Sequence, residues 1–428
     1  MKAVVLAAGE GTRLRPLTLT RPKHLISVGG KPVIDHVLET VKAAGITEVV
    51  VVVHYLAEQI EKHLDDGSRY GLSVKCVRQA EMKGTADAIK TAEPYVNEDF
   101  LLVYGDLLTT PNHLKILIET HLEKKPLVSI AVVQVDHPEY YGIVKLEDNL
   151  VADIIEKPKP NEAPTNLANA GMYVFTPEIF ETIKQTPLSP RGELEITDTF
   201  KLLIQEKRQI FAVKILAKDW FDIGRPWDLL EANTWALSRV QSRVDGVIED
   251  GAHLIGLVRV EEGARIRSGA YIEGPVFIGQ NSDIGPNCYI RPFTHIGKHV
   301  HIGNACEVKN SIVMDETKIG HLSYVGDSVI GEGCNLGAGT LIANYRFDAK
   351  PVKMLVKEEV ADSGRTKLGV ILGDGVKTGI NAALMPGVKV GNNSWVGAGV
   401  VVNRDVPPNT HVSLKQETRQ QEMEEHKI

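Results

Sequence analysis

From Val260 onward, aliphatic residues recur at every sixth position: Val260, Ile266, Ile272, Ile278, Ile284, Ile290, Ile296, Ile302 and Val308. A small or slender residue stands four positions after each of the first eight, from Ala264, Ala270, Val276 and Ser282 to Cys288, Thr294, Val300 and Cys306; Asn310 breaks the rule. A period of six cannot be helical, because 3.6 residues per turn would scatter these positions around a cylinder. An even period keeps them on one face of successive short strands. Three such sides close a triangular coil of about 18 residues, which predicts a parallel β-helix over roughly residues 247–412. The rhythm slips and resumes at Ile319, Val325, Ile330, Leu336 and Ile342, and again at Leu384, Val390, Val396 and Val402. Glycine often follows the aliphatic anchor, as at Gly279, Gly285, Gly303, Gly320 and Gly337, which predicts corners with unusual backbone angles. Residues 346–369 carry no hexad and are too polar for a core, so they are expected to leave the coil as a loop.

The first 240 residues follow another pattern. Buried strands read at Ala3–Ala8, Glu48–His54, Phe100–Tyr104 and Leu127–Val133, with helical periodicity over Asp35–Ala44, Ala57–Leu64, Thr85–Ala92 and His113–Glu123. This alternation predicts an α/β domain, residues 1–240, with a mostly parallel, Rossmann-like sheet and ligands at the carboxyl ends of its strands. An amphipathic segment from Pro226 to Val240 leads into the solenoid domain, residues 241–412. The Glu-, Gln- and Lys-rich tail, residues 413–428, reads as a short frayed helix from Lys415.

A chain of 428 residues, 43% hydrophobic and 24% charged, has length enough for both domains. Its net charge of −7 argues against nucleic acid as a main partner, since phosphate neutralisation needs a basic surface. No apolar run approaches the length of a membrane span, and Met1-Lys2 followed by a strand does not read as a signal peptide, so a cytoplasmic protein without membrane insertion is expected. The four cysteines lack metal or disulfide spacing; Cys288, Cys306 and Cys334 fall on the small inward position and read as core thiols.

The first strand ends in Leu6-Ala7-Ala8-Gly9-Glu10-Gly11-Thr12-Arg13-Leu14, with Pro22-Lys23 downstream. Glycines after a strand let backbone N–H groups approach phosphate, and the loop also delivers the cations Arg13 and Lys23. A dinucleotide fingerprint would need a third glycine where Leu14 stands, and Gly29-Gly30-Lys31-Pro32 lacks the spacing of a Walker loop. Tyr104-Gly105-Asp106 and Trp220-Phe221-Asp222-Ile223-Gly224 bring carboxylates to strand ends, where a pair can hold one divalent cation beside a nucleotide phosphate.

With these motifs the first 230 residues resemble the sugar-1-phosphate nucleotidylyltransferases. The resemblance implies that Gly9, Gly11 and Thr12 cradle the nucleotide, that Arg13 and Lys23 act in catalysis, and that Asp106 and Asp222 hold Mg2+. It implies that Gln79, Gly84 and Thr85 read the base. Gly142, Glu156, Asn169 and Gly171 would contact the sugar, with Lys157 on the sugar phosphate or, as a blander alternative, merely ion-paired with Glu156.

In the solenoid, Cys306-Glu307-Val308-Lys309-Asn310, Gly320-His321-Leu322-Ser323-Tyr324, Asn335-Leu336-Gly337-Ala338 and Asn344-Tyr345 resemble the acetyltransferase half of bifunctional N-acetylglucosamine-1-phosphate uridylyltransferase/glucosamine-1-phosphate N-acetyltransferase. That family implies a left-handed β-helix, a homotrimer and acetyl-CoA as co-substrate. By the same resemblance His321 is the base, Arg291, Lys309 and Tyr324 hold the sugar phosphate and sugar, Asn335, Asn344 and Tyr345 lie near the amine, and Ala338 and Ala398 lie on the acetyl-CoA path. Acetyl transfer needs an unprotonated amine, and an imidazole suits that work. Arg291 and Lys309 stand 18 positions apart, one coil, as a shared phosphate requires. His295, His299 and His301 read as surface or corner residues.

The chain also departs from the bacterial pattern. Arg346 follows Asn344-Tyr345 where an acidic residue is expected, Ile380 replaces a serine and Lys415 an arginine of the acetyl-CoA site. Arg191-Gly192-Glu193-Leu194-Glu195-Ile196-Thr197-Asp198 looks more like glucose-1-phosphate thymidylyltransferase. The combination is similar to the archaeal form of the bifunctional enzyme, and both UTP and dTTP are expected nucleotides with hexosamine 1-phosphates. Two alternatives stay open: a thymidylyltransferase alone, or a solenoid that only trimerises or regulates, as in GDP-mannose pyrophosphorylase-like proteins.

Overall fold

The computed structural model describes residues 1–159 and 161–421. Two compact units divide the chain, Met1–Val240 and a second beginning at Gln241. In the first, a nine-stranded sheet runs in the spatial order Ser73–Arg78, Glu48–Val53, Lys2–Ala7, Phe100–Tyr104, Leu167–Phe175, Val128–Gln134, Ile210–Lys214, Leu150–Glu156 and Gly142–Glu147. Its first four strands are parallel. Beyond them Leu167–Phe175 runs antiparallel to both neighbours, and the last two strands form an antiparallel hairpin, so the sheet is mixed rather than mostly parallel.

The central strands are aliphatic at every position because both faces are covered. Ala3, Val5 and Ala7 join Val49, Val51 and Val53 in one core, while Val4, Val50 and Val52 face the other. Each such side chain contributes about 1.5–3 kcal/mol by leaving water. The helices Val33–Ala43, Ala57–Leu64, Thr85–Thr91 and Pro111–Lys124 lie where the periodicity put them. The segment read as a connection is a helix, Pro226–Leu237, packed into the first unit: a Cβ on Gly29 would collide with Ala236, and Asn233 accepts a hydrogen bond from the Gly29 N–H.

The second unit is a left-handed parallel β-helix with three walls of eight, nine and eight strands among the described residues. Adjacent turns pair 18 residues apart at first, as in Tyr271 with Tyr289, and the anchors from Val260 to Val402 are buried. Between His295 and Leu341 the pitch falls to 17. Two hexads shorten to five, Val308 to Val313 and Val325 to Ile330, at the same corner on successive turns. On the next turn that corner carries the long insertion. Backbone hydrogen bonds from Asn310 to Pro292, Asp327 to Lys309, Gly369 to Asp327 and Gly387 to Gly369 run straight up it.

Five expectations change. Residues 346–369 are no simple loop: Lys353–Val356 and Glu359–Asp362 form an antiparallel hairpin whose Val352 and Met354 are buried, and a Cβ on Gly387 would lie 2.3 Å from the Lys353 carbonyl oxygen. The coil then resumes earlier than the aliphatic count suggested, at Ile371–Leu372 and Lys377–Thr378, because polar Thr378 occupies an anchor position. Of the glycines after anchors, only Gly285 has positive φ; the left-handed corner residues stand three positions after the anchor, as at Asn281, Asn287, Phe293, His299 and Ala305. The glycines instead permit close stacking, since a Cβ on Gly303 would fall 1.9 Å from the Gly320 oxygen. His295 is buried against Phe277, and that burial lowers its pKa to about 4. Residues 413–421 contain no helix, and 422–428 lie outside the described residues. No helix among the described residues is long and apolar enough to cross a membrane.

Candidate active sites

The first site lies where Lys2–Ala7 and Phe100–Tyr104 end. Gly11 turns the loop at φ 67°, and Thr12 opens the short helical turn that carries Arg13. A Cβ on Gly11 would lie 3.2 Å from Lys23 Cβ, and one on Gly9 would lie 3.9 Å from Lys23 Cε, so Lys23 passes over both glycines. Its ammonium pairs with Asp106. Asp222 stands opposite Leu107 in a two-stranded ladder, next to Asp106, while the Arg13 guanidinium covers Gly224 so closely that a Cβ there would sit 3.1 Å from it. The two buried carboxyls diverge. Burial pushes Asp106 up, but the Lys23 ammonium outweighs it and holds Asp106 below the carboxylate range. Burial, then the charge of Asp106, raises Asp222 despite Arg13, Lys23 and Arg225.

The residues expected at the sugar converge. A Cβ on Gly142 would meet Glu156 Oε2 at 2.9 Å and Asn169 Cβ at 3.7 Å; Asn169 Oδ1 accepts from the Gly171 N–H at 3.1 Å and the Tyr173 hydroxyl at 2.8 Å. Lys157 lies 3.6 Å from Glu156, and Arg191, which was not singled out from sequence, bridges Glu156 at 3.3 Å and Glu195 at 2.7 Å. Gln79 is buried and donates through Nε2 to Asp87 at 2.7 Å. Gly84, at φ 108°, admits the Leu194 carbonyl where a Cβ would lie at 2.5 Å, and Thr85 Oγ accepts from the Ile196 N–H at 2.9 Å.

Asp228 was also missed. It caps helix Pro226–Leu237, accepting from the N–H groups of Gly224 at 3.0 Å and Arg225 at 2.6 Å, and so fixes the turn that follows Asp222. Burial, then the charge of Asp222, pushes its pKa up to about 7. Pro226 at the first helical position with an acidic residue in the same turn was the available signal.

In the solenoid, Arg291 and Lys309 follow the paired residues Ile290 and Val308 and stand one turn apart. Lys309 pairs at 3.0 Å with buried Asp327, which also accepts from Asn310 at 2.7 Å and from Asn344 at 2.6 Å. Asn344 in turn donates to the Tyr324 hydroxyl at 3.1 Å, and Arg291 pairs with Glu307 at 2.8 Å. Gly326 is required here, because a Cβ would fall 2.5 Å from the Tyr324 hydroxyl. Lys309, Tyr324 and Asn344 are thus brought into one network with Arg291 a turn away. His321, Asn335, Ala338 and Ala398 are not in it. His321 is exposed at a different corner, where Ala338 and Ala398 stand on later turns, and Tyr345 is half-exposed beside Lys367. Asp327, the hub, lies one shortened turn of 17 after Asn310 and follows Gly326, the partner of Lys309, so counting turns of 17 in this stretch would have found it.

Residues 2–239 match the nucleotidyl transferase family, residues 272–380 the GMPPB C-terminal domain, and residues 369–404 the hexapeptide repeat of succinyl-transferase. A bifunctional protein GlmU from Methanocaldococcus jannaschii is 43% identical over 97% of this chain and 98% of its own. A bifunctional sugar-1-phosphate nucleotidylyltransferase/acetyltransferase from Sulfurisphaera tokodaii is 43% identical over 95% of this chain and 98% of its own. A Bacillus anthracis crystal structure with sucrose, described as a glucose-1-phosphate thymidylyltransferase, superposes on 57% of this chain and 98% of its own at 28% identity and a TM-score of 0.52. With a nucleotidyl transferase domain and a hexapeptide coil joined over the full length of such relatives, the chain belongs to the GlmU family of bifunctional sugar-1-phosphate nucleotidylyltransferase/acetyltransferases.

Proposed function

We propose that the chain makes UDP-N-acetylglucosamine in two steps. Acetyl-CoA acetylates glucosamine 1-phosphate on the β-helix, and UTP then couples to N-acetylglucosamine 1-phosphate in the first unit with release of pyrophosphate. The observation that carries this reading is the network of Lys309, Asp327, Asn344 and Tyr324, because a scaffold needs buried anchors but no charged hub at one corner.

In the first unit, a sugar phosphate oxygen attacks the α-phosphorus of the nucleotide, and the bond to pyrophosphate breaks in line. Arg13 and Lys23 are assigned to neutralise the charge that develops there, with Gly9, Gly11 and Thr12 against the phosphates. Asp106 and Asp222 fit Mg2+: two carboxyls on adjacent positions of a two-stranded ladder beside the phosphate loop are the hard oxygen donors such an ion would take. When bound, the ion screens the phosphate charge. Gln79, Gly84 and Thr85 are assigned to the base; Gly142, Glu156, Asn169 and Gly171 to the sugar; Lys157 to its phosphate. UTP and dTTP differ by one methyl and one hydroxyl, and a methyl in a pocket discriminates by only about 1–3 kcal/mol, so dTTP is accepted as well.

On the β-helix, Arg291, Lys309 and Tyr324 are assigned to the phosphate and sugar, with Asn335, Asn344 and Tyr345 near the amine. His321 takes the amine proton as nitrogen attacks the thioester carbonyl and the coenzyme A thiolate leaves. Since His321 and the Lys309 network occupy different corners, the site is completed by another copy in a homotrimer, whose substrates place it in the cytoplasm. The test is direct. Purified protein with acetyl-CoA and glucosamine 1-phosphate is expected to free thiol, and with UTP and N-acetylglucosamine 1-phosphate to free pyrophosphate. Pyrophosphate without thiol would return the solenoid to a scaffold.

A further inference from the structure

Gly224 and Arg225 form the turn between Asp222 and helix Pro226–Leu237, and each meets a different half of the first site. The Arg13 guanidinium, assigned to the nucleotide, covers Gly224. Arg225 meets the sugar half instead. Its guanidinium carbon stands 3.4 Å above the centre of the Tyr140 ring and 5.6 Å from that of Trp227, and both Arg225 and Tyr140 are half-buried.

Tyr140 ends a short helical turn, Pro138–Tyr140, that leads directly into Tyr141 and Gly142. The Tyr141 ring packs edge-on against Trp220 at 5.6 Å, its carbonyl accepts from the Lys157 N–H at 3.0 Å, and Gly142 pairs with Glu156. Arg225 and Lys157 therefore bracket one run of three residues, 140–142, beside the positions assigned to the sugar. Burial, then the charges of Asp222 and Asp228, pushes the Tyr141 phenol up, and the charge of Arg225 works against them. The guanidinium is thus within electrostatic reach of the Asp222 turn and of the sugar segment together. Stacking on a phenol engages the plane of a guanidinium and leaves the N–H groups on its rim to donate, in a fork that matches two phosphate oxygens.

We propose that Arg225 is a second cation, beside Lys157, for the phosphate of the sugar 1-phosphate, and that Tyr140 is the positioning residue that holds its guanidinium flat. The assignment rests on the nucleotidyl-transfer reading of the first unit. It separates the cations of the site by substrate: Arg13 and Lys23 serve the nucleotide, whereas Arg225 and Lys157 serve the attacking phosphate. A change at Arg225 then weakens one substrate and spares the other, which general damage to the pocket would not do.

The experiment compares Arg225→Met, Tyr140→Leu and the double variant with the wild type by pyrophosphate release, varying N-acetylglucosamine 1-phosphate and UTP separately. In Arg225→Met the KM for the sugar phosphate is expected to rise about tenfold, while kcat and the KM for UTP stay within about twofold. Tyr140→Leu is expected to raise the same KM by about threefold, and the double variant to be no worse than Arg225→Met alone, since Tyr140 acts only through the guanidinium. Recovery of the rate at saturating sugar phosphate excludes unfolding as the cause. An unchanged KM for the sugar phosphate in Arg225→Met would overturn the assignment, as would equal rises for both substrates; a double variant in which the two effects multiply would remove the role of Tyr140. If the wild type frees no pyrophosphate from UTP or dTTP, the nucleotidyl-transfer reading has failed, and calorimetry with N-acetylglucosamine 1-phosphate decides on Arg225. Binding weakened in Arg225→Met supports it; equal binding to both proteins, or none to the wild type, removes it.

Discussion

Asp228 carries its proton where a free aspartate would not, held near 7 by burial and by the neighbouring Asp222. Because the folded value lies above that of the unfolded chain, its contribution to stability is present below about pH 4 and is lost as the pH rises through about 7. Asp228→Asn keeps an oxygen for the Gly224 and Arg225 N–H groups and cannot ionise. Its melting temperature is expected to match the wild type at or below pH 4 and exceed it by pH 8, measured by thermal unfolding at both. Asp327 makes the opposite demand, since three side chains donate to it. Asp327→Ala strands the Lys309 charge and is expected to cost about 3 kcal/mol in chemical denaturation and at least tenfold in thiol release, with pyrophosphate release intact. Neither residue was found from sequence, for different reasons: Asp228 follows no hydrophobic rhythm and shows itself only as a cap, whereas Asp327 was concealed by attention to anchors rather than to residues one turn apart.

At the scale of elements, the aliphatic count located nearly every strand of the coil, because a buried anchor at each sixth position is what stacking requires. What it could not supply was the reason for the glycines. Gly303 has no room for a methyl against the Gly320 carbonyl, while a Cβ on Gly320 would meet nothing within 4 Å. Gly303→Ala is therefore expected to destabilise by about 2–4 kcal/mol and Gly320→Ala to be nearly silent, a contrast that denaturant midpoints would show. If both were silent, the turns would be able to part without cost. The hairpin within 346–369 was invisible for a related reason: its strands are short and charged, and only Val352 and Met354 press against the coil. His295 was misjudged because an outward-reading position is here covered by its surroundings. In the first unit, likewise, local patterning found four strands of the sheet and the helices between them, but not Ser73–Arg78, Gly142–Glu147, Leu150–Glu156, Ile210–Lys214 or the antiparallel Leu167–Phe175, whose place depends on pairing between segments far apart in the chain.

For the whole molecule, two units with separate cores and separate polar sites imply two activities that fail one at a time. His321→Ala is expected to abolish thiol release while pyrophosphate release persists, and Asp106→Asn to do the reverse; assays of both on each variant decide, and joint loss would point to unfolding instead. The loop after the first strand and the paired carboxylates were legible because they are contiguous motifs at strand ends. The Lys309 network was only half legible, since its members come from three turns. Those turns share the corner where the spacing shortens twice and then lengthens by a hairpin, and the walls above and below continue undisturbed. Wherever a coil of this kind loses count on consecutive rungs at one edge, the irregularity marks a workplace, so a tally of broken spacings offers a way to find working centres on other prisms of the same build before any ligand is known.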